Sequence, residues 1–169
     1  MKKTIIKRIK ENIVYQNKWI KVYDDIVIHP DGNQGSYLRI SYHSNPKGIV
    51  IIPEFSDHRV LLLRSFRYAI GKELYELPRG TSDKHETVEQ AALRELKEET
   101  NVDAKVNIVL GSFYPDSAIM MTEVAAVHVI IGENQNFELK LSKNEAIDGS
   151  ILVCIDELKK MVFNGEIKD

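Results

Sequence analysis

The sequence predicts an α/β (α+β) fold, an α/β/α sandwich around a mixed β-sheet, with an antiparallel β-hairpin region at its N-terminus. Three observations lead there. Short runs rich in Ile, Val and Leu recur between turn clusters along most of the chain. Two stretches, 87–100 and 156–165, carry apolar residues at helical spacing instead. Finally, 169 residues with 43% hydrophobic content suit one unit with a sizeable core.

Residues 1–18 fit either a strand or a mobile arm. Residues 19–29 alternate and are rich in Ile and Val, so a strand is expected. The turn cluster PDGNQG follows, and 36–43 returns as a second strand. Runs 48–53 and 59–67 flank the turn FSDH as a second hairpin. Residues 72–77 lead into Pro78-Arg79-Gly80. A helix is expected from about Thr87 to about Thr100. Two more strands, 105–112 and 124–131, bracket a loop at 113–122. Residues 151–155 read as a short buried strand. Asp156 then caps a last helix with Leu158, Met161 and Val162 on one face and Gly165 as its stop. The division that follows is 1–45 as an N-terminal strand region and 46–169 as the main domain.

Composition narrows the function classes. A net charge of −2 argues against a general affinity for nucleic acid or acidic membranes. No basic patch with interleaved aromatics appears. No run reaches transmembrane length, and the Lys/Ile-rich start lacks a signal-peptide core. A cytoplasmic location without membrane partners is the expectation. The one cysteine, Cys154, lies in the apolar run ILVCI and reads as core filler. The five histidines show no ligand spacing.

The chemistry concentrates in GTSDKHETVEQAALRELKEETNV, from Gly80 to Val102. Its helix places Glu95, Glu98 and Glu99 three and four residues apart. Like charges at that spacing repel by about 0.2–0.5 kcal/mol per pair. Val88, Ala92, Leu93 and Leu96 form an adjoining apolar stripe that seats the helix on a core. Three crowded carboxylates beside a buried seam call for a counter-charge. A hard divalent cation such as Mg²⁺ or Mn²⁺ matches their oxygen donors.

Gly80, Glu86 and the run Arg94-Glu95-Leu96-x-Glu98-Glu99-x-Asn101-Val102 stand at the spacing of the Nudix box. The chain thus resembles the Nudix hydrolases, which act on nucleoside diphosphates linked to another group. One position departs, because the family has Gly where this chain has Asn101. That residue ends the helix in a left-handed conformation, which Asn tolerates best after Gly. The approach RSFRYAIGKELYELPRG resembles that of the ADP-ribose pyrophosphatase-like subgroup, which reads QYR and then ELPAG. Arg79 stands where that subgroup has a small residue.

The resemblance implies the Nudix fold and one to three Mg²⁺ or Mn²⁺ ions. It also implies a homodimer formed through the N-terminal strands. The implied metal ligands are the Arg79 backbone carbonyl, Glu95, Glu98 and Glu99. Arg94, Glu98, Glu99 and Glu145, the last in the loop NEAI, are the implied catalytic residues. Glu145 and Glu98 are both candidates for the general base. Arg94 is expected to pair with a carboxylate, Glu86 or Glu98, and Glu86 is expected to be structural. Arg67, Glu76, Arg79 and Tyr114 are the candidate substrate-binding residues. Arg67 suits a diphosphate clamp, since guanidinium geometry matches phosphate oxygens. Tyr114 lies in FYPDS, where the subgroup often has Ser-Pro-Gly, and suits either stacking on a base or core packing.

The expected substrate is ADP-ribose or a nucleotide sugar. The rival enzyme reading is a hydrolase of modified nucleoside triphosphates or dinucleotides. A third reading is a domain that senses a nucleotide without cleaving it. Such domains usually lose box carboxylates, and this chain keeps them.

Overall fold

Strand and helix periods sort the chain into two compact units in the computed structural model, which describes residues 4–43, 46–132 and 146–168. The first unit gathers residues 1–46 and 113–123, and the second 47–112 and 124–169.

The first unit is a four-stranded antiparallel sheet. Its spine is β3 (Ile20–Ile28), whose alternation buries Tyr23, Asp25 and Val27 on one face. Short β1 (Lys7–Lys10) and β2 (Ile13–Gln16) pair with successive parts of β3. Residues 1–18, left open between strand and arm, thus supply two strands. On its other edge β3 pairs with β4 (Gln34–Tyr42), from Ile20↔Tyr42 to Ile28↔Gln34. Asp31 shapes the turn between them by accepting from the Asn33 N–H at 2.9 Å. Segment 113–123 is tied to β4 through Ile40, whose N–H donates to the Ile119 carbonyl and whose carbonyl accepts from Met121.

The second unit is a seven-stranded mixed sheet. Its centre is β5 (Gly48–Phe55), a near-continuous apolar run of the kind a strand covered on both faces requires. β6 (Arg59–Arg67) follows, then β7 (Lys72–Glu76) and the three-residue β8 (Arg79–Thr81). α1 (Val88–Thr100) leads to β9 (Ala104–Phe113) and β10 (Val124–Ile131), and β11 (Ile147–Cys154) leads to α2 (Ile155–Phe163). The order is β11-β6-β5-β10-β9. β10 runs parallel to β5, which the crossover through α1 makes possible. β5 and β6 pair at Glu54↔Val60 and then diverge. β7 lines β6 and β8 lines β5 along the split, so the Pro78-Arg79-Gly80 corner sits inside it.

Each helix has its own core. Ala91, Ala92 and Leu96 of α1 pack on Ile49, Ile51, Val127 and Val129. Met161 of α2 packs with Leu62 and Val153, and Leu158, Ile151 and Tyr75 close around them. α1 starts where its sequence signals. Thr87 Oγ1 accepts from the Gln90 N–H, and Gln90 answers through the Thr87 N–H, a reciprocal cap. It ends at Asn101 with φ 58°, the left-handed conformation expected there.

Two expectations at the C-terminal end are corrected. The α2 cap is Cys154 rather than Asp156, which sits in the first turn, where its charge favours the helix dipole. Cys154 is exposed, not core filler. Alternation along β11 turns Val153 inward and therefore Cys154 outward.

Candidate active site

α1 presents its acidic residues at the β8 side of the second unit. Glu95 can lie there because residue 80 is glycine. A Cβ on Gly80 would stand 2.0 Å from the Glu95 carboxyl carbon. Glu95 Oε1 instead accepts from the Thr81 N–H at 3.1 Å. Burial pushes the Glu95 carboxyl above the usual range. The Thr81 amide and Arg94 oppose that shift, and Glu98 adds to it.

Arg94 is the hub of the helix face. Its Nε and Nη2 donate to Glu86 at 3.0 and 2.9 Å, and Nη2 also donates to the Thr81 carbonyl. Its Nη1 lies 3.1 Å from Glu95 and 3.3 Å from Glu98. Both pairings considered for Arg94, with Glu86 and with Glu98, are therefore present. Glu86 also accepts from the Asp83 N–H, so Arg94 first and that amide second hold its carboxyl below the ordinary value. Glu86 thus fastens the loop before the helix to the helix itself.

Beyond this hub lies a cavity of about 510 Å³ lined by Ser65, Arg67, Tyr68, Glu76, Arg79 and Glu99, with Phe66, Ala146 and Ile147 completing its wall. The Glu76 side chain is 3% exposed. Arg67 Nε donates to its Oε2 at 2.9 Å and Arg67 Nη2 to its Oε1, a two-point fork. Arg79 Nη2 donates to Oε2 at 2.7 Å. Both guanidinium side chains stay about two-fifths exposed, at 42% and 39%. Glu99, at the buried end of the helix face, joins the same wall.

The donor set suits a hard divalent cation. It is made of carboxylate oxygens with a backbone carbonyl one peptide from Gly80, and a cation would favour the charged form of the partly buried Glu95. Among the described residues no three acidic or histidine side chains are gathered into a ready coordination cluster. Arg94 stands among the carboxylates instead. Glu98, 60% exposed, has room to change rotamer. The residues fit the group in chemistry.

The structure therefore brings Arg67, Glu76, Arg79 and Glu99 to one cavity, and Glu86, Arg94, Glu95 and Glu98 to one hub. Tyr114 lies in the first unit and is about half exposed. Glu145 lies outside the described residues. Sequence reasoning missed Ser65, Tyr68 and Thr81. Ser65 was within reach, because residues two apart on a strand share a face and Arg67 was already a candidate. Thr81 acts through its backbone, which leaves no side-chain signal.

Comparisons with known proteins bear on the family and the fold. A family model described as "NUDIX domain" matches residues 45–168, and one described as "Nucleoside diphosphate sugar hydrolase N-terminal domain" matches 6–37. An ADP-ribose pyrophosphatase of Bacillus subtilis is 27% identical over 172 residues, covering 100% of this chain and 89% of that protein. One of Saccharomyces cerevisiae is 30% identical over 144 residues, covering 78% of this chain and 62% of that protein. A crystal structure of an ADP compounds hydrolase superposes with a TM-score of 0.75 at 17% identity, covering 97% of this chain and 86% of that one. The box spacing, the split sheet that holds it and the family match over 45–168 agree, and the chain belongs to the Nudix family of hydrolases.

Proposed function

We propose that this hydrolase cleaves the diphosphate linkage of ADP-ribose or a nucleotide sugar, releasing a nucleoside monophosphate and a phosphorylated sugar. One observation carries the reading. Guanidinium groups and a box carboxylate, Glu99, face the same cavity, so diphosphate binding and the acidic helix share one wall. The names of the B. subtilis and S. cerevisiae relatives support ADP-ribose.

In this reading a water oxygen attacks one phosphorus, the phosphoanhydride P–O bond breaks, and the bridging oxygen leaves with the other phosphate. Glu95, Glu98, Glu99 and the Arg79 carbonyl would hold Mg²⁺ or Mn²⁺. When bound, such an ion neutralises phosphate oxygens and acidifies water. Arg67 draws charge from the diphosphate and orients it. Arg94, held by Glu86, sets the rotamers of Glu95 and Glu98. Glu98 and Glu145 are the candidates to accept the water proton.

The test is turnover of ADP-ribose beside nucleotide sugars, dinucleotides and nucleoside triphosphates, with Mg²⁺, with Mn²⁺ and with chelator. Metal-dependent AMP release from ADP-ribose is the expected outcome. Preference for a triphosphate or dinucleotide would move the assignment to the rival enzyme. Tight binding without cleavage would make the chain a sensor.

The proposal includes a homodimer formed through residues 1–45, supported by exposed Ile9, Ile13, Val14, Tyr15 and Trp19 on and around β1 and β2. A monomer mass by light scattering would refute it. It also includes a cytoplasmic location. No described helix is long and apolar enough to cross a membrane.

A further inference from the structure

We infer that the Ser65 hydroxyl is a further substrate contact, which reads a hydroxyl of the sugar on the far phosphate and so favours a sugar-bearing diphosphate over one without that sugar. The inference deepens the diphosphate reading above and rests on it.

Ser65 lies on β6 and is 3% exposed. Its partners across the two pairings are Leu74 on β7 and Ile147 on β11, both buried and aliphatic. Along its own strand the residues two positions away share its face, and these are buried Leu63 and Arg67. The residue lines the cavity wall, and its hydroxyl has no hydrogen-bond partner among the described residues. Folding gains nothing from such a group. A buried hydroxyl without a partner costs free energy that alanine at the same place would not. A ligand in the cavity can supply the missing bond.

The chemistry of the wall points to a sugar hydroxyl as that ligand group. The wall's guanidiniums, on Arg67 and Arg79, can only donate, and its carboxylates, on Glu76 and Glu99, accept when ionised. The Tyr68 phenol stands out in solvent. Ser65 is thus the one buried, uncharged polar side chain among the described residues of the wall. A serine hydroxyl both donates and accepts, as a sugar hydroxyl does, whereas an anionic phosphate oxygen is matched by a guanidinium. Spacing agrees. Ser65 stands two residues from Arg67 on one strand face, about 6–7 Å away along β6 and on its buried side. A phosphate at Arg67 can therefore bring its sugar to Ser65, because ring hydroxyls lie a few bonds beyond the phosphoester oxygen.

The experiment is calorimetric titration of the whole chain, in chelator, with ADP-ribose and with the methyl ester of the ADP β-phosphate. The ester keeps the diphosphate and its charge but carries no sugar on the far phosphate. Wild type, Ser65→Ala and Ser65→Thr would be compared, with thermal midpoints and ADP-ribose turnover in Mg²⁺ measured alongside. Wild type should bind ADP-ribose at least about threefold tighter than the ester, as one added neutral hydrogen bond allows. Ser65→Ala should weaken ADP-ribose about three- to tenfold and leave the ester nearly unchanged. Ser65→Thr keeps the hydroxyl and should stay near wild type. In turnover Ser65→Ala should raise KM and leave kcat within about twofold, as loss of uniform binding does. The unligated midpoint of Ser65→Ala should rise by about 2–4 °C, because an unpartnered buried hydroxyl is gone. Unchanged ADP-ribose binding in Ser65→Ala, equal weakening of both ligands, or a lowered midpoint would overturn the inference. With ADP-ribose turnover intact, those results leave the diphosphate reading standing. Wild type that neither binds nor cleaves ADP-ribose would sink both.

Discussion

Two buried carboxylates, one in each unit, show how the same ion-pair chemistry serves opposite ends. Asp25 on β3 is closed in. Arg39 Nε donates to it at 2.6 Å, and the Asn12 N–H donates at 3.1 Å. Arg39 is itself only 14% exposed. It also bonds Glu11 and Met121 Sδ and stacks 3.7 Å from the Tyr23 ring centroid. Glu76 holds its arginines at similar distances, yet both side chains stay about two-fifths exposed and line a cavity. A guanidinium engaged on every side is structural material. One that stays partly exposed on a cavity wall, as Arg67 does, can serve binding.

That contrast can be broken first on its closed side. Asp25→Ala removes the buried partner of Arg39 and leaves it only the half-exposed Glu11 as a counter-charge, and breaking such a buried pair costs about 3–5 kcal/mol. Urea unfolding should show a loss of that order, and a loss under 1 kcal/mol would erase the distinction drawn here. On the open side Glu99→Gln should do the reverse. Turnover should fall about 10²–10³-fold, the cost of losing one charged transition-state contact, with the thermal midpoint nearly unchanged. Undiminished turnover would remove Glu99 from the site.

Arg94 is the intermediate case, half closed around Glu86 and half open toward Glu98. Arg94→Gln should lower activity about 10–100-fold, as loss of a group that orients ligands does. Activity equal to wild type would reduce Arg94 to a helix-surface residue. A subtler probe is pH. The Arg39 hydrogen bond first, with the Asn12 amide and Coulomb attraction, holds Asp25 below the ordinary aspartate value against the opposing effect of burial. A depressed carboxylate contributes stability above its unfolded pKa and loses it as pH falls through the folded value. The midpoint should therefore drop on acidification below the ordinary carboxylate range, and Arg39→Gln should flatten that drop. The smallest effect belongs to the exposed pair Asp57–Arg59. Arg59→Gln should leave the midpoint unmoved, since solvent screens such pairs.

Much of the site was legible because the box residues sit on one helix, where fixed spacing converts directly into a shared face. Glu95, Glu98 and Glu99 are local in that sense, and so is the Thr87 cap. Glu76 and Arg79 were legible as candidates, but not as partners of one another. Arg67 is nine residues from Glu76 across the β6–β7 pairing, which sets Glu76 opposite Leu63 and Arg67 opposite Lys72, so the two meet through their long side chains rather than as direct cross-strand partners. Cys154 was misread for a related reason. An apolar run does not say which of its residues face inward until the register of β11 against β6 is set.

By itself the sequence determined the residue types, the period of each element, the acidic helix and its caps. These depend on neighbours within a few positions, where covalent geometry dictates contact. Only the tertiary structure decided that β5 and β6 part after one pair, that the Pro78-Arg79-Gly80 corner fills the split, and that one buried carboxylate holds two arginines at a cavity. Those features join residues far apart in the chain. Their placement follows from burying apolar strand faces while pairing buried carboxylates such as Asp25 and Glu76, a condition that no single segment can meet.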